Sequence, residues 1–514
     1  MGSQELLLYD IHDAIITPPS PDDWEKKSFS GIIKSELMKR LGTITDEILV
    51  DTLLMIGTSF LPTFPPLLDV NVIRGQPPTL VDAFNLLRTH NKSITATCQG
   101  FSDILKAVDP DWLDKFRKAK MAVDHCVTVH VDGSVHIKDY ETLTEDHVKY
   151  LGYQLPSELY HYLSKALIGP RVMNCFNNSL QSVVFPTLDG ETSDEYRRLV
   201  TRSLIPIKEA TAAIIASRIN RWYGVNSIKI KYWFDDRLET ALTSSIQLQP
   251  HPNQLADTWL VPDADLKGQE SGTGTSAGKL SFAVLSLQEK EFPKKTISNT
   301  NGQPRNKTPR LNSKSELLSN ALWRLLHIRG YINDQHELTA WGKALATTLK
   351  SIGPTVRTHN DVHHLEEGAF LAYELLRFDN LNSRNRHPEL TGAPLRGSDE
   401  DKANCILIGR TACLLKFRHK SIGYTGPLSK NFLSFYSIIK AVREADRDLL
   451  EAITVSMFMN NQVNRTRDDY GELGRRLVFP RLFVFVTNML PVSHSPLISI
   501  LASASRSRRI STTI

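Results

Sequence analysis

The sequence predicts an α/β region followed by a mostly α-helical region, and three observations support this. Two short apolar runs near the start, Leu6–Leu8 and Ala14–Ile16, have the character of buried strands. Thr45–Ile56 and most of the chain beyond Ser315 instead carry apolar residues at helical spacing. The length of 514 residues exceeds what one hydrophobic core serves, so we expect several domains.

The first predicted domain spans residues 1–168 and centres on the helix Thr45–Ile56. Thr45 supplies an N-cap side chain, Gly57 ends the helix, and Pro62 stops it from resuming. Asp132-Gly133, between alternating apolar residues, is a strong hairpin signal. Further predicted helices are Gly31–Leu41, Leu80–Leu87 and Trp112–Val123.

Beyond a boundary predicted at Gly169-Pro170, the chain divides into four segments. Residues 171–266 hold a predicted long helix and a β-rich run from Ser227. Residues 267–315 are rich in Gly, Ser, Thr, Asn, Pro and Lys, which predicts a flexible basic linker. Residues 316–490 are predicted to hold a winged-helix-like unit, built around GYI-NDQH-ELT, and a helical C-terminal domain. Residues 491–514 have the Ser/Arg composition of a disordered tail.

The overall composition excludes several classes of protein. A net charge of +5 is small for this length, so it indicates no general affinity for polyanions. Five scattered cysteines without a CxxC pair are typical of reduced thiols rather than of a disulfide framework or a zinc site. The sequence contains no apolar run of membrane-spanning length and no signal pattern, so we expect a soluble intracellular protein.

Three motifs have a possible chemistry and a simpler structural interpretation. GTGTSAGK, Gly272–Lys279, has five residues between its outer glycines where a phosphate-binding loop needs four, so a linker is favoured. His359, His363, His364 and Glu367 have helical spacing, but a solvated helix face is favoured over a metal site. A third set consists of basic residues, which either contact RNA phosphates non-specifically or keep a protease-sensitive tether soluble. These residues are Lys294, Lys295, Arg305, Lys307 and Arg310.

The order ELLLYD, ELMKRLG and TDEILVDTLLMIGTSFLPTFPP resembles the internal part of the flap-endonuclease/XPG superfamily, which has a PIN-like fold. In active members, acidic residues near the first strand and after a later helix bind the catalytic metal ions. The resemblance places those positions on Ser3, Glu5 and Ser59, where Glu5 alone retains a carboxylate. It therefore implies a partial PIN-like domain that is a degenerate nuclease, without catalytic residues, metal or cofactor.

The phrase GTSFLPTFPP, with ELLLYD ahead of it, is similar to the fungal MKT (maintenance of killer toxin) family. The similarity extends more weakly to about residue 490, through LLHIRGYINDQHELTAWGKAL and NFLSFYSIIKAVREADRDLLEAI. It implies a non-catalytic scaffold in the post-transcriptional control of mRNA translation or stability. It also implies an ataxin-2-like partner that binds poly(A)-binding protein and connects the chain to mRNA, and no membrane association. The expected location is the cytoplasm, with polysomes or P-bodies, or the nucleus.

Two other functions remain open at this point. One is a structure-specific XPG-type endonuclease that acts on DNA in repair, although it needs acidic residues that this chain lacks. The other is direct RNA binding through the basic linker and the winged-helix-like unit. Because two strands cannot form a stable sheet alone, we also expect the chain to be truncated at its N-terminus, as a faulty gene model would produce. Phe60 and Phe64 belong either to the core or to a partner surface, and the core is favoured.

Overall fold

The computed structural model describes residues 4–9, 13–16, 31–42, 44–73, 77–132, 134–144, 154–184, 193–220, 227–242, 250–301, 310–358, 362–383, 397–414 and 430–465. These residues form two compact units, 4–144 and 154–465. The fold is mixed α/β and mostly helical. In the described part of the chain, no helix is both long and apolar enough to cross a membrane. Gly169 and Pro170, the predicted boundary, begin a helix inside the second unit.

The first unit combines two small antiparallel sheets with seven helices in its described residues. Its strands are β1 (Ala14–Ile16), β2 (Gly31–Ile33), β3 (Val127–Val129) and β4 (Val135–Ile137). Its helices are α1 (Lys34–Arg40), α2 (Asp46–Ile56), α3 (Pro65–Leu68), α4 (Leu80–Thr89), α5 (Ile94–Gly100), α6 (Ser102–Val108) and α7 (Trp112–Asp124).

Helix α2 lies at the centre of this unit. Thr45 Oγ1 accepts a 3.4 Å hydrogen bond from Ile48 N, which confirms the predicted N-cap. Every residue from Leu49 to Ile56 is buried, so the helix is enclosed rather than exposed on one polar face. Asp51 is tolerated there because its carboxylate pairs with Lys120 Nζ at 2.7 Å.

The start of the chain differs from the sequence prediction. Gln4–Leu8 forms a 3-10 helix instead of a strand. Leu7 and Leu8 are both buried while Leu6 is exposed, which suits a helical turn, because neighbours in a strand point to opposite faces. Ala14–Ile16 is a strand, as predicted, and it pairs with Gly31–Ile33. That pairing is why the helix predicted from Gly31 begins at Lys34.

The hairpin prediction at Asp132 is confirmed. Strands β3 and β4 pair antiparallel, with Val127 opposite Ile137 and Val129 opposite Val135. Asp132 Oδ1 accepts hydrogen bonds from Ser134 N and Ser134 Oγ, which stabilises the turn side of the hairpin.

The second unit contains a three-stranded sheet and a larger helical part. Its strands are β5 (Leu180–Val183), β6 (Ile228–Tyr232) and β7 (Asp235–Leu242), where β5 pairs parallel and β7 antiparallel with β6. Its helices are α8 (Ser157–Ser164), α9 (Pro170–Asn177), α10 (Asp194–Arg198), α11 (Ile205–Ala216), α12 (Pro250–Ala256), α13 (Asp263–Thr273), α14 (Leu280–Leu285), α15 (Glu291–Asn301), α16 (Lys314–Ile328), α17 (Ala340–Thr358), α18 (Val362–Arg377), α19 (Asp399–Leu414) and α20 (Lys430–Met459).

Helices α16 and α20 organise the core of the second unit. Along α20, apolar residues such as Val442 and Ile453 are fully buried, and so is the charged Asp446. On α16, the guanidinium of Arg324 is fully buried and donates to the carbonyl oxygens of Ala256, Thr258 and Trp259. It also donates to Gln462 Oε1 at 2.8 Å. Arg324 thereby joins segments from both sides of α16 in the sequence.

The structure differs from the flexible linker predicted at residues 267–315. Helices α13, α14 and α15 occupy about half of it, and Phe282 and Val284 of the apolar patch LSFAVLSL are fully buried. Trp323 Nε1 on α16 donates a 2.7 Å hydrogen bond to Ala283 O. Composition alone predicted a linker because α13 and α15 are mostly polar and α14 is only six residues long, so packing on the rest of the unit stabilises these helices.

The element GYI-NDQH-ELT, around which the winged-helix-like unit is predicted, lies at Gly330–Thr339. Helices α16 and α17 flank a short turn in which Ile332 forms a β-bridge with Leu338 and Asn333 N donates to Glu337 O at 2.9 Å. Its further assignment as a winged-helix-like unit stays a prediction.

Candidate functional site

The turn after α2 is held by several independent hydrogen bonds. Gly57 has a φ of 103°, and a Cβ placed there would lie 2.6 Å from Thr63 Oγ1, so the position requires glycine. Thr63 Oγ1 donates to Ile56 O at 2.6 Å, and Phe64 N donates to Met55 O at 2.8 Å. The turn is therefore closed onto the end of the helix that precedes it.

The two phenylalanines of this turn have different environments. Phe64 is fully buried, and its ring centroid lies 4.6 Å from that of Trp112, whose Nε1 donates to Pro62 O at 2.9 Å. Phe60 is 46% exposed. The core prediction is confirmed for Phe64 and wrong for Phe60, because the closed turn leaves the Phe60 side chain on its outer side.

The structure brings together Glu5 and Ser59, two of the three predicted degenerate metal positions. Ser59 N donates to Glu5 Oε1 at 2.5 Å, and Ser59 Oγ donates to Glu5 Oε2 at 2.9 Å. The third position, Ser3, lies outside the described residues. Residues 54 positions apart in the sequence thus meet at one carboxylate, which both the backbone and the side chain of Ser59 bind.

This pair has limited chemical capacity. Two-metal nuclease sites need several carboxylates around ions about 4 Å apart. Glu5 contributes one carboxylate, and the hydroxyl of Ser59 donates to it instead of adding a second negative charge. Within the described ranges, no cluster of three or more His, Cys, Asp or Glu side chains is arranged to hold a metal ion.

Two of the basic residues predicted to contact RNA form ion pairs with acidic side chains. Lys294 Nζ pairs with Glu291 at 2.9 Å, and Lys295 Nζ pairs with Asp265 at 2.5 Å. Arg310 is exposed just before α16. Arg305 and Lys307 lie outside the described residues, so RNA contact by this set stays a prediction.

The glycine-containing motif Gly272–Lys279 is used internally. Ala277 N donates to Glu270 Oε1 at 2.7 Å, and Gly278 N donates to Ser319 Oγ at 2.8 Å. These backbone N–H groups are the donors that a phosphate-binding loop would direct at its ligand. Their pairing with protein oxygen atoms agrees with the structural interpretation of this motif.

Buried carboxylates on α18 were missed by the sequence reasoning. Glu366 accepts hydrogen bonds from Leu280 N and Ser281 N at the start of α14. Glu367, which was assigned to a solvated face or a metal cluster, is 2% exposed and pairs with Arg443 Nε at 2.5 Å. The side chains of His363 and His364, and all of His359, lie outside the described residues. The burial of Glu366 and Glu367 could have been inferred from the sequence, because these glutamates lie among the apolar positions of a helix.

Glu374 is the centre of the largest of these buried groups. Tyr331 Oη donates to Glu374 Oε1 at 2.8 Å, Arg377 Nη1 donates to it at 3.1 Å, and Arg329 binds Glu374 Oε2. Arg329 Nε also lies 3.5 Å from Asp446 Oδ1. Burial, and then the neighbouring charge of Glu374, raises the pKa of the Asp446 carboxyl well above its usual value, while Arg329 opposes the shift.

Two family models match parts of this chain, and both are described as "Temperature dependent protein affecting M2 dsRNA replication". The model of the N-terminal part matches residues 144–234, and the model of the C-terminal part matches residues 324–483. The second match includes α17, α18 and α20 with the buried Glu374 group.

Three fungal relatives align with most of the chain or with two thirds of it, and each is named "Post-transcriptional regulator MKT1". The Cryptococcus neoformans relative is 23% identical over 93% of this chain and 61% of its own length. The Saccharomyces cerevisiae relative is 23% identical over 68% of this chain and 42% of its own length. The Schizosaccharomyces pombe relative is 21% identical over 94% of this chain and 64% of its own length. The chain therefore spans less than two thirds of each relative. No solved structure matches it.

Proposed function

Because two family models and three MKT1 relatives match the chain, we propose that it belongs to the MKT1 family and is a non-catalytic post-transcriptional regulator of mRNA, acting on translation or stability. The names of its three relatives support the regulatory role. The observation that carries the non-catalytic part of the proposal is the Glu5–Ser59 pair. In this proposal the first unit is a degenerate PIN-like domain, in which Ser59 stands where an active nuclease has a metal-binding aspartate.

A nuclease assay tests the non-catalytic role. The purified chain is incubated with Mg²⁺ or Mn²⁺ and with flap DNA, single-stranded DNA or RNA, and we expect no cleavage above the buffer rate. Glu5→Ala is compared with Asp103→Ala, which removes an exposed carboxylate elsewhere in the same unit. Cleavage that Glu5→Ala abolishes and Asp103→Ala preserves overturns the proposal and favours the structure-specific endonuclease.

We further propose that the chain acts as a scaffold for an ataxin-2-like protein that binds poly(A)-binding protein, and that it reaches mRNA through this partner. The family resemblance of the sequence supports this part. A pull-down from cells should recover that partner and polyadenylated RNA together, and depletion of the partner should remove the RNA. RNA recovered equally well without the partner contradicts the scaffold role.

Imaging of a tagged chain with polysome and P-body markers tests the expected cytoplasmic location.

Direct RNA contact requires a substitution rather than a deletion as its test. Lys294 and Lys295 lie in α15 and form ion pairs, and Ser313 caps α16, so removal of this whole segment disrupts the fold. Ultraviolet crosslinking to RNA should be unchanged when Lys294, Lys295 and Arg310 are replaced by glutamine. A loss of crosslinks with an unchanged melting temperature assigns direct RNA binding to these residues.

A further inference from the structure

Trp341 and Tyr373 form a pair of aromatic rings on the second unit, in which Trp341 is exposed and Tyr373 is half-buried. Trp341 lies in the first turn of α17 and is 41% exposed, although tryptophan is usually well buried. Its ring centroid lies 6.2 Å from that of Tyr373 on α18, and the two ring planes meet at 84°. Leu376, one helical turn beyond Tyr373, is also exposed. We call Trp341, Tyr373 and Leu376 the aromatic face.

The backbone that carries Trp341 is fixed before any partner binds. Thr339 N donates to Tyr331 O at 3.0 Å, and Thr339 Oγ1 donates to Gly330 O at 2.9 Å. Gly342 packs so closely that a Cβ there would lie 2.2 Å from Tyr331 O. The start of α17 is therefore held against the preceding turn, and Trp341 projects from a rigid support.

The ring of Tyr373 is oriented as well. Thr348 Oγ1 donates to Ala344 O at 3.2 Å, and it lies 2.7 Å from Tyr373 Oη. The two hydroxyl groups therefore share a hydrogen bond, which fixes the position of the Tyr373 ring. Aromatic rings that are ordered in advance lose little conformational entropy on binding.

The side chains around the aromatic face are mostly small, and the charged Arg377, one turn beyond Tyr373, pairs with Glu374 at 3.1 Å. Helical spacing places half-buried alanines beside the aromatic side chains, namely Ala344, Ala369 and Ala372. The exposed carboxylates of Asp334 and Glu337 lie in the turn that leads into α17. Lys343 lies about 200° around the helix from Trp341 and so belongs to another face.

We propose that the aromatic face binds a proline-rich segment of a partner, in the polyproline II conformation and followed by basic residues. Such a segment offers apolar rings and carbonyl groups that lack internal hydrogen bonds. The exposed ring of Trp341 and the half-buried ring of Tyr373 match the first property, and the indole N–H of Trp341 supplies a donor for the second. The acidic residues Asp334 and Glu337 complement the charge of the basic residues, whereas the alanines leave room for a narrow chain. The inference does not depend on which protein provides the segment.

The test measures the binding of a defined peptide to the full chain. The probe is a fluorescein-labelled peptide of about seven prolines followed by two arginines, and its binding raises the fluorescence anisotropy. Replacing the prolines by glycines, or the arginines by glutamates, should weaken binding about tenfold. Trp341→Ala should abolish it, and Trp341→Phe should weaken it because the ring stays but the N–H is lost. Tyr140→Ala, at an exposed tyrosine of the first unit, should leave it unchanged.

Three outcomes overturn the proposal. They are no anisotropy change with the wild-type chain, binding that Trp341→Phe and Leu376→Ala leave unchanged, and preferential binding of an amphipathic helical peptide. If Trp341→Ala lowers the melting temperature, Trp341→Phe and Leu376→Ala decide the result, because both keep an apolar side chain at their position.

Discussion

His336 should make the second unit sensitive to acid. The imidazole is 4% exposed and stacks on Trp259, with 3.7 Å between the ring centroids. Thr296 Oγ1 donates its proton to Pro293 O, so His336 Nδ1 must donate to Thr296 Oγ1, at 2.8 Å. Burial, and then the nearby His327, lowers the pKa of His336 from 6.5 to about 4, while Asp334 opposes the shift.

The size of the effect follows from this shift in pKa. Because the folded state disfavours protonation of His336, the contribution of this residue to the free energy of unfolding is present above pH 6.5. That contribution is lost as the pH falls towards 4. This change in the pKa of His336 corresponds to a loss of roughly 3 kcal/mol in the free energy of unfolding at a pH well below 4. At about pH 4.5 the loss is about 2.5 kcal/mol.

Urea unfolding of the wild type and of His336→Asn at about pH 7 and pH 4.5 measures this contribution. Asparagine suits the positive φ of 59° at this position and does not titrate in this range. The free energy of unfolding of the wild type should fall by about 2.5 kcal/mol more than that of His336→Asn. His136→Asn, at an exposed histidine of the β3–β4 hairpin, is the matched control and should behave as the wild type. Equal losses in the wild type and His336→Asn refute the reasoning.

Three further substitutions test other parts of the fold by the same unfolding measurement. Gly57→Ala should destabilise the first unit by about 2 kcal/mol, since alanine is strained at a φ of 103° and its Cβ meets Thr63; an unchanged midpoint contradicts this. Glu374→Gln should cost about 3–5 kcal/mol, because it removes the buried carboxylate that pairs with both Arg329 and Arg377. Ser313→Ala should cost about 1 kcal/mol, because its hydroxyl accepts a 3.0 Å hydrogen bond in the first turn of α16; Ser313→Thr, which keeps the hydroxyl, should restore most of it.

Local signals predicted those parts of the fold that local chemistry determines. The Thr45 N-cap, the Gly57 helix end and the Asp132 hairpin each depend on residues within a few positions, and each was found from the sequence. The same holds for the helices on either side of the turn at Tyr331. These features follow from backbone preferences and hydrogen bonds that need no tertiary contact.

Features that depend on distant contacts could not be predicted in this way. The segment around Phe282 has linker composition and becomes helical through its contact with Trp323 on α16. Glu367 has the sequence character of a solvated residue and is buried through Arg443, 76 positions away in the numbering. At the candidate site, the resemblance placed Glu5 and Ser59 in related roles, but their direct hydrogen bonds required coordinates.

The contacts of Arg324 have a consequence for how the chain can be divided. Its guanidinium holds the carbonyls of residues before α13 and the side chain of Gln462 at once, and Leu311 N donates to Gln462 O at 2.9 Å. A break in the chain between Asn301 and Arg310 lies after α15 and before α16, and it interrupts neither of the helices that the hydrogen bond from Trp323 Nε1 on α16 to Ala283 O on α14 joins. Two separately expressed pieces that end and begin there should assemble into one folded unit, so continuity of the backbone at this point is dispensable for the fold.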